Sequence, residues 1–260
     1  MRFMPLSRVK SFIASQVSLQ RARRQPGRPC FVCPICNYTG VFIDWRTDTV
    51  SRTHAECPRC HGLERHRLQW LVVVDKLQKE IQFSKLRVLH IAPDKCLEAR
   101  LRPLCASYVT ADISGKGVDR QEDLTKLSFS DSSFDLVYAS HVLEHISDDE
   151  SAIKEIRRVL SPGGRAVLPV PILSDTTVEY GDPNPYEGHH VRAPGLDYFK
   201  RYERVFDRVH VWRSTDFDTS FQLYTFEDRS NWPAELMPKR PKTHGLRHLD
   251  YVPVCEVASL

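Results

Sequence analysis

No stretch of this 260-residue chain reaches the roughly 18 consecutive apolar residues of a membrane-crossing helix, so none of it is expected to span a bilayer. The N-terminus also lacks an uninterrupted apolar core, which argues against a secretory signal. Acidic residues are missing from the first forty positions, where seven Arg or Lys occur. The net charge of +4 is therefore unevenly placed, with the positive excess at the N-terminus and a slightly acidic remainder. Internal repeats and low-complexity tracts are absent too, which leaves ordinary globular packing.

What is present fits that picture. The chain is 41% hydrophobic and 27% charged, long enough for one large α/β domain with a small appendage. Eight cysteines without a secretory signal read as thiols or metal ligands in a reducing compartment, hence a cytoplasmic protein. The first residues, basic, serine-containing and acid-free, also have the composition of a mitochondrial transit peptide. A basic arm or helix over residues 1–29 is the plainer reading.

The most patterned stretch is Gln121–Pro171. Phe134, Leu136, Val137, Tyr138 and Ala139 form a short apolar run bounded by Asp131-Ser132-Ser133, as in a strand buried on both faces. Ser147 precedes Glu150 by three residues, the spacing of a capping box, and predicts a helix start. Ile153, Ile156, Val159 and Leu160 continue it at helical spacing, and Ser161-Pro162-Gly163-Gly164 ends it before the apolar run Ala166–Val170. Strand, helix and strand make one crossover of an open α/β sheet, whose ligands sit outside the carboxyl ends of the strands. That edge holds Glu122-Asp123-Leu124 on one side and Ser140 to His145 on the other.

The run SFDLVYASHVLEHI, the KEIRRVL helix and the PGG turn resemble the second half of a class I S-adenosylmethionine-dependent methyltransferase, in the group labelled methyltransferase type 11. The resemblance covers roughly residues 84–172. It implies an α/β fold, a Rossmann-like sheet with helices on both faces, and S-adenosylmethionine as cofactor. Leu86–Ile91 is then the first strand. The family usually follows it with a glycine-rich loop, but this chain has Ala92-Pro93-Asp94-Lys95-Cys96, so the donor's amino-acid end must meet a different turn. His90, Ala92 and Asp94 are the candidates there. Asp112 closes the second strand, Tyr108–Ala111, where a carboxylate holds ribose hydroxyls. A weak third strand lies around Val118–Glu122. By resemblance, Asp123 accepts from the adenine amino group beside the Leu124 amide, and Ser140 and His141 line the floor where the methyl is presented. Asp135 precedes its strand and reads as structural.

Upstream, Cys33-Pro34-Ile35-Cys36 and Cys57-Pro58-Arg59-Cys60 form two CPxC knuckles twenty residues apart, the pattern of a four-thiolate zinc ribbon. Cys30 is the alternative to Cys33 as ligand. Such a closed site folds a module and does no chemistry, while His54 and His61 read as surface residues. With Arg59, Arg65, His66 and Arg67 adjoining, the ribbon either caps the catalytic domain or grips phosphate. Leu68, Leu71, Val72, Val74 and Leu77 predict a linking helix. A ribbon leading through GLERHR into such a domain resembles a set of bacterial proteins of that architecture.

The expected organisation is a basic arm at 1–29, a zinc ribbon at 30–62, a linking helix at 63–83, a methyltransferase domain at 84–230 and an extended tail at 231–260. The Pro-, Gly- and His-rich loop after the fifth strand offers Glu179, Tyr180, His189, His190 and Arg192 to an acceptor. Leu196 to Phe206 predicts a helix, and Val209–Trp212 with Gln222–Phe226 a final antiparallel pair. His141 or His190 is the expected general base, with His145 third. The acceptor is a small molecule or saccharide. RNA or protein is the alternative, and a non-catalytic scaffold the third reading.

Overall fold

The computed structural model describes residues 20, 26–172, 174–236 and 242–259. The N-terminal arm lies almost wholly outside them. In chain order come strands β1 (Phe31–Cys33), β2 (Tyr38–Gly40), β3 (Ile43–Arg46) and β4 (Ser51–Glu56), then helix α1 (Glu64–Leu71) with a π-helical continuation, Val72–Leu77. Next are β5 (Arg87–Ile91), α2 (Lys95–Leu101), β6 (Ser107–Asp112), β7 (Arg120–Gln121), β8 (Phe134–Ala139), α3 (Asp149–Val159) and β9 (Leu160–Val167). The chain ends through β10 (Val178–Asn184), β11 (His190–Ala193), α4 (Phe199–Glu203), β12 (Arg208–Arg213), β13 (Thr225–Asp228), β14 (Leu246–His248) and β15 (Tyr251–Glu256).

These elements form two compact units, one of residues up to Trp70 with Phe217–Leu249, the other of Leu71–Asp216 with residues from Asp250 onward. The second unit holds a seven-stranded sheet in the order β12-β15-β9-β8-β5-β6-β7. Its five strands from β9 to β7 pair in parallel, and β15 and β12 close the other edge antiparallel. This mostly parallel, doubly wound order is Rossmann-like. On α3, Ala152, Ile153, Ile156 and Val159 are fully buried in one cluster with Leu89, Val137, Ala139 and Ala166 of the sheet and Phe199 and Tyr202 of α4. Each buried Ile, Val, Leu or Phe side chain there contributes about 1.5 to 3 kcal/mol by leaving water. Strand alternation sends His90 and Tyr138 to the opposite face. The Lys76 ammonium over the Trp212 ring, and the 2.8 Å ion pair of Arg165 with Glu80, fix the segment after α1 against strands β12 and β9.

Several expectations are corrected. The sheet domain does not run continuously over 84–230, because β13 leaves it and pairs with β4 and β14 in the first unit. The described residues of 231–260 do not form an extended tail either. Val252, Val254 and Cys255 are buried, and β15 is inserted between β9 and β12. The partner of Val209–Trp212 is therefore β15, not Gln222–Phe226. At the start of α3 the cap is Asp148, whose side chain accepts the Ser151 amide at 3.1 Å, rather than Ser147. The loop after β9 contains a hairpin, β10 with β11, whose pairing is interrupted by a bulge between Glu179 and Asn184. That irregularity hid its strand alternation.

The first unit carries the two-stranded β1-β2 and the four-stranded order β14-β13-β4-β3. Its core is organised by Arg67, which is fully buried and lies over the Phe42 ring. Its guanidinium donates to the carbonyls of Ala55, Gly62 and Gln222 at 2.7 to 2.9 Å. Burial pulls its pKa down, and Glu64 and the cysteine thiols oppose that. Among the described residues no helix is long and apolar enough to cross a membrane.

Candidate functional site

The register of the parallel strands builds the site. Ile91 of β5 is level with Ala111 of β6 and Ala139 of β8, so the residues that follow, Ala92, Asp112 and Ser140, stand side by side at the carboxyl edge. Asp112 is in turn level with Gln121, which brings Asp123 to the same edge. Asp112 turns Oδ1 toward its own loop, accepting the Ser114 amide at 2.7 Å and hydroxyl at 2.5 Å. Asp123 does the same with Thr125, at 2.8 and 2.7 Å, and those bonds hold its carboxyl below the usual range. Among the described residues Oδ2 of both carboxylates is left uncommitted. Ser140 Oγ is buried and has no hydrogen-bond partner among them. A buried polar atom without a partner is costly, and a ligand at this edge would relieve that cost.

The turn after β5 compensates for its missing glycines. Ala92 adopts a φ of 46°, the left-handed conformation that glycine takes without strain, and its amide donates to Ala111 O at 2.8 Å. Asp94 follows at the N-cap position of α2. Leu124 is buried in the core cluster, so only its backbone belongs to the edge. His90 is wholly buried, with Nδ1 2.5 Å from the Tyr108 hydroxyl and its ring 4.7 Å from that of Tyr138. Burial pulls its pKa down to about 3, so it is neutral. Its side chain packs the sheet, and this geometry carries no contact from it to a ligand at the edge.

Beyond β8 the chain turns sharply. His141 has a φ of 55° and donates its amide to Pro169 O at 2.9 Å, and Leu143–His145 forms one short 3-10 turn. That turn brings a group the sequence reading passed over, Glu144, to the centre of a cluster. Glu144 is fully buried, with His141 Nδ1 at 3.3 Å and His190 Nε2 at 4.0 Å from Oε1. The His145 ring stands perpendicular to that of His190 with centroids 4.6 Å apart. The only signal in the sequence was a carboxylate three residues after a histidine. Arg192, two residues beyond His190, fixes the hairpin over the turn by donating to the carbonyls of Leu143, Ile146 and Ser147 at 2.5 to 3.0 Å. Its Nε donates to both oxygens of Glu179. Tyr180 donates to Glu187 within the hairpin, and neither it nor His189 belongs to the cluster.

A larger open cavity of about 550 Å³, lined by Asp149, Glu179, Arg192 and Arg201 among others, lies nearby. Three of its charged groups are spent on one another: Arg201 pairs with both Asp149 and Glu179, and the Tyr198 hydroxyl donates to Asp149. We assign it to holding α3, α4 and the hairpin together.

In the first unit, Cys33, Cys36, Cys57 and Cys60 bring four sulfurs within 4.8 Å of one another, while Cys30 is exposed. The two knuckles match. Each closes with an amide donating back to the first cysteine, Asn37 to Cys33 O at 2.8 Å and His61 to Cys57 O at 2.9 Å, and both residues are left-handed. His61 serves that turn, and its Nδ1 lies 2.6 Å from the Glu56 carboxylate, which accepts; His54 is outside the sulfur group as well. Hydrogen bonds from Cys57 and Cys60 hold the Cys33 thiol well below its ordinary pKa.

Residues 96–168 match the model of the family described as a methyltransferase domain. The chain is similar to the ubiquinone/menaquinone biosynthesis C-methyltransferase of Desulfotalea psychrophila, 42% identical over 55 residues, 21% of this chain and 22% of that protein. It is similar to the 27-O-demethylrifamycin SV methyltransferase of Amycolatopsis mediterranei, 40% identical over 58 residues, 22% of this chain and 21% of that protein. The chain thus spans about a fifth of the length of these curated relatives. A solved S-adenosylmethionine dependent methyltransferase from Mesorhizobium loti superposes with a TM-score of 0.46 at 16% identity, covering 72% of this chain and 99% of that one. The family match itself runs from α2 to just past β9, and so contains Asp112, Asp123, Ser140, His141 and Glu144.

Proposed function

We propose that this chain is an S-adenosylmethionine-dependent methyltransferase acting on a small-molecule acceptor. The observation that carries the reading is that the methyltransferase-domain match falls on strand tips where two carboxylates keep an oxygen uncommitted and the Ser140 hydroxyl is buried without a described partner. Asp112 would hold the ribose hydroxyls and Asp123 the adenine amino group. The left-handed Ala92 and Asp94 would face the amino-acid end. The donor, once bound, supplies a methyl already activated on a sulfonium. The chain's own part is alignment, a contribution that reaches roughly 7 to 11 kcal/mol in well-oriented reactions.

For an acceptor that holds its proton, His141 is the proton acceptor at this floor, with its ring held by the Glu144 carboxylate. His190 is the other imidazole on that carboxylate. One relative's name places it in ubiquinone/menaquinone biosynthesis and the other's names 27-O-demethylrifamycin SV, which supports a small organic acceptor more than a saccharide or RNA.

The four sulfurs fit zinc. The Cys33–Cys60 and Cys36–Cys57 separations are both 3.6 Å, and Zn–S bonds of about 2.3 Å set tetrahedral edges of about 3.8 Å. All four positions are thiols, so the ion would be structural.

Calorimetry with S-adenosylmethionine tests the central reading. The wild type should bind, and Asp112→Ala should bind roughly tenfold or more weakly, the loss of a charge-assisted hydrogen bond, with an unchanged melting temperature. No heat of binding to the folded wild type would leave the non-catalytic scaffold standing instead.

A further inference from the structure

We propose that Glu144, His145 and His190 form a binding site for a divalent first-row transition-metal cation at the acceptor side of the cleft. One ligand atom from each of the three lies within 4.8 Å of the others. Neighbouring ligands on metal bonds of about 2.1 Å stand roughly 3 to 3.5 Å apart, and rotation of two side chains closes the difference. His145 is exposed and His190 keeps 21% of its side-chain surface, which leaves room beside both rings, while Glu144 is fully buried.

The backbone supports the same reading from two sides. Glu144 and His145 are adjacent in the 3-10 turn, directly beyond the left-handed His141 that ends β8. His190 comes from the other side, at the start of β11, and Arg192 ties that strand to the carbonyls of the same turn. Gly188, with a φ of 63°, passes over both imidazoles. A Cβ there would stand 3.9 Å from His190 Nε2 and 4.0 Å from His145 Cε1. Three ligands from two rigidly joined segments are thus held on one side, and the remaining coordination positions are left for small ligands.

The donor chemistry selects the ion. Two imidazoles and one carboxylate suit Mn(II), Fe(II), Co(II) or Zn(II) better than Mg(II) or Ca(II), which prefer oxygen throughout. The consequence for catalysis rests on the methyltransferase reading above. A hydroxyl or phenol of the acceptor, coordinated here, would lose its proton near neutral pH, as metal-bound water does. That proton leaves to His141 or water. The oxygen lone pair then forms the new C–O bond, and the bonding pair of the broken S–CH3 bond remains on sulfur. His190 becomes a ligand in this arrangement, and His141 remains the base.

Mn(II) separates this site from the cysteine cluster, since it favours oxygen and nitrogen donors over thiolates. The experiment is an electron paramagnetic resonance titration of full-length protein carrying one zinc per chain, the amount that fills the cysteine cluster, as verified by elemental analysis, following loss of the free Mn(II) signal. One Mn(II) per chain should bind, at least tenfold more weakly in His145→Ala and in His190→Ala. His145 is exposed, so its replacement leaves the fold intact, which circular dichroism checks. Wild-type binding absent below millimolar Mn(II), or unchanged in folded His145→Ala, overturns the proposal. The donor calorimetry is run on the same protein without manganese. Mn(II) binding without donor binding leaves the metal site standing and removes the methyltransferase reading, and donor binding without Mn(II) binding does the reverse.

Discussion

Asp135 shows how a single residue can be strongly shifted without being catalytic. Burial raises its carboxyl, but the bonds from the Arg87 side chain and amide and from Ser161 outweigh that and bring it down to about 2. It lies at the amino end of β8, away from the edge that holds Asp112 and Ser140. A carboxyl depressed in the folded state adds stability above its unfolded pKa, about 3.9, and that stability is lost as pH falls through about 2. Arg87 is 45% exposed, so solvent screening reduces the gain to about 1 kcal/mol. Asp135→Asn should therefore unfold earlier in urea at pH 7 by about that amount, with the difference from wild type disappearing between about pH 4 and pH 2. Donor affinity at pH 7 should not change, which calorimetry would show.

At the scale of elements, what the sequence revealed depended on how local each signal was. The strand at Phe134–Ala139, the helix after it and the CPxC knuckles are written within a few residues of themselves; the structure places the strand and the knuckle cysteines as read, while the helix is capped by Asp148 and stops at Val159, with Leu160–Gly164 already in β9. The positions of Asp112, Asp123, Ser140 and His141 at the carboxyl edge were legible for the same reason, since each directly follows a recognisable strand or step. The hairpin of β10 and β11 was not legible. Its bulge breaks the alternation, and its position is fixed by Arg192 donating to carbonyls more than forty residues away. Glu144 was missed because only that hairpin brings His190 to it. Arg192 is buried, close to Asp149 and hydrogen-bonded to Glu179. Arg192→Ala would leave the three carbonyls and Asp149 without it, so a loss of about 3 to 5 kcal/mol is expected in denaturant unfolding. Hydrogen exchange should show the destabilisation locally, with faster exchange across Val178–Ala193 before the central sheet responds. Uniform exchange across the sheet and hairpin would contradict the role assigned to Arg192.

For the molecule as a whole, the consequential misreading concerned the last sixth of the chain. Residues 217–249 pair into the cysteine-bearing unit, and residues after Asp250 return to the parallel sheet. Neither move is visible in the sequence, because the pairing of β13 with β4 spans more than 170 residues and β15 is hidden behind a proline-rich, basic segment. For the zinc site proposed above, this organisation makes a firm prediction about metal removal. Strand β4 lies between β3 and β13, and its C-terminal end runs straight into the second knuckle at Cys57. Arg67 adds carbonyl contacts from Ala55 and Gly62, beside that knuckle, to Gln222. Zinc-finger peptides draw on the order of 10 to 16 kcal/mol from their ion, more than so small a unit can replace from its own core. Chelation should therefore expose two segments far apart in sequence at once, residues 26–70 and 217–249. In limited proteolysis with mass mapping, both should be cut at the same rate after chelator treatment, and both protected again when zinc is restored. Cutting confined to residues 26–70, with 217–249 still protected, would mean that the thiol cluster stabilises only its own hairpin and that β13 is held by other means.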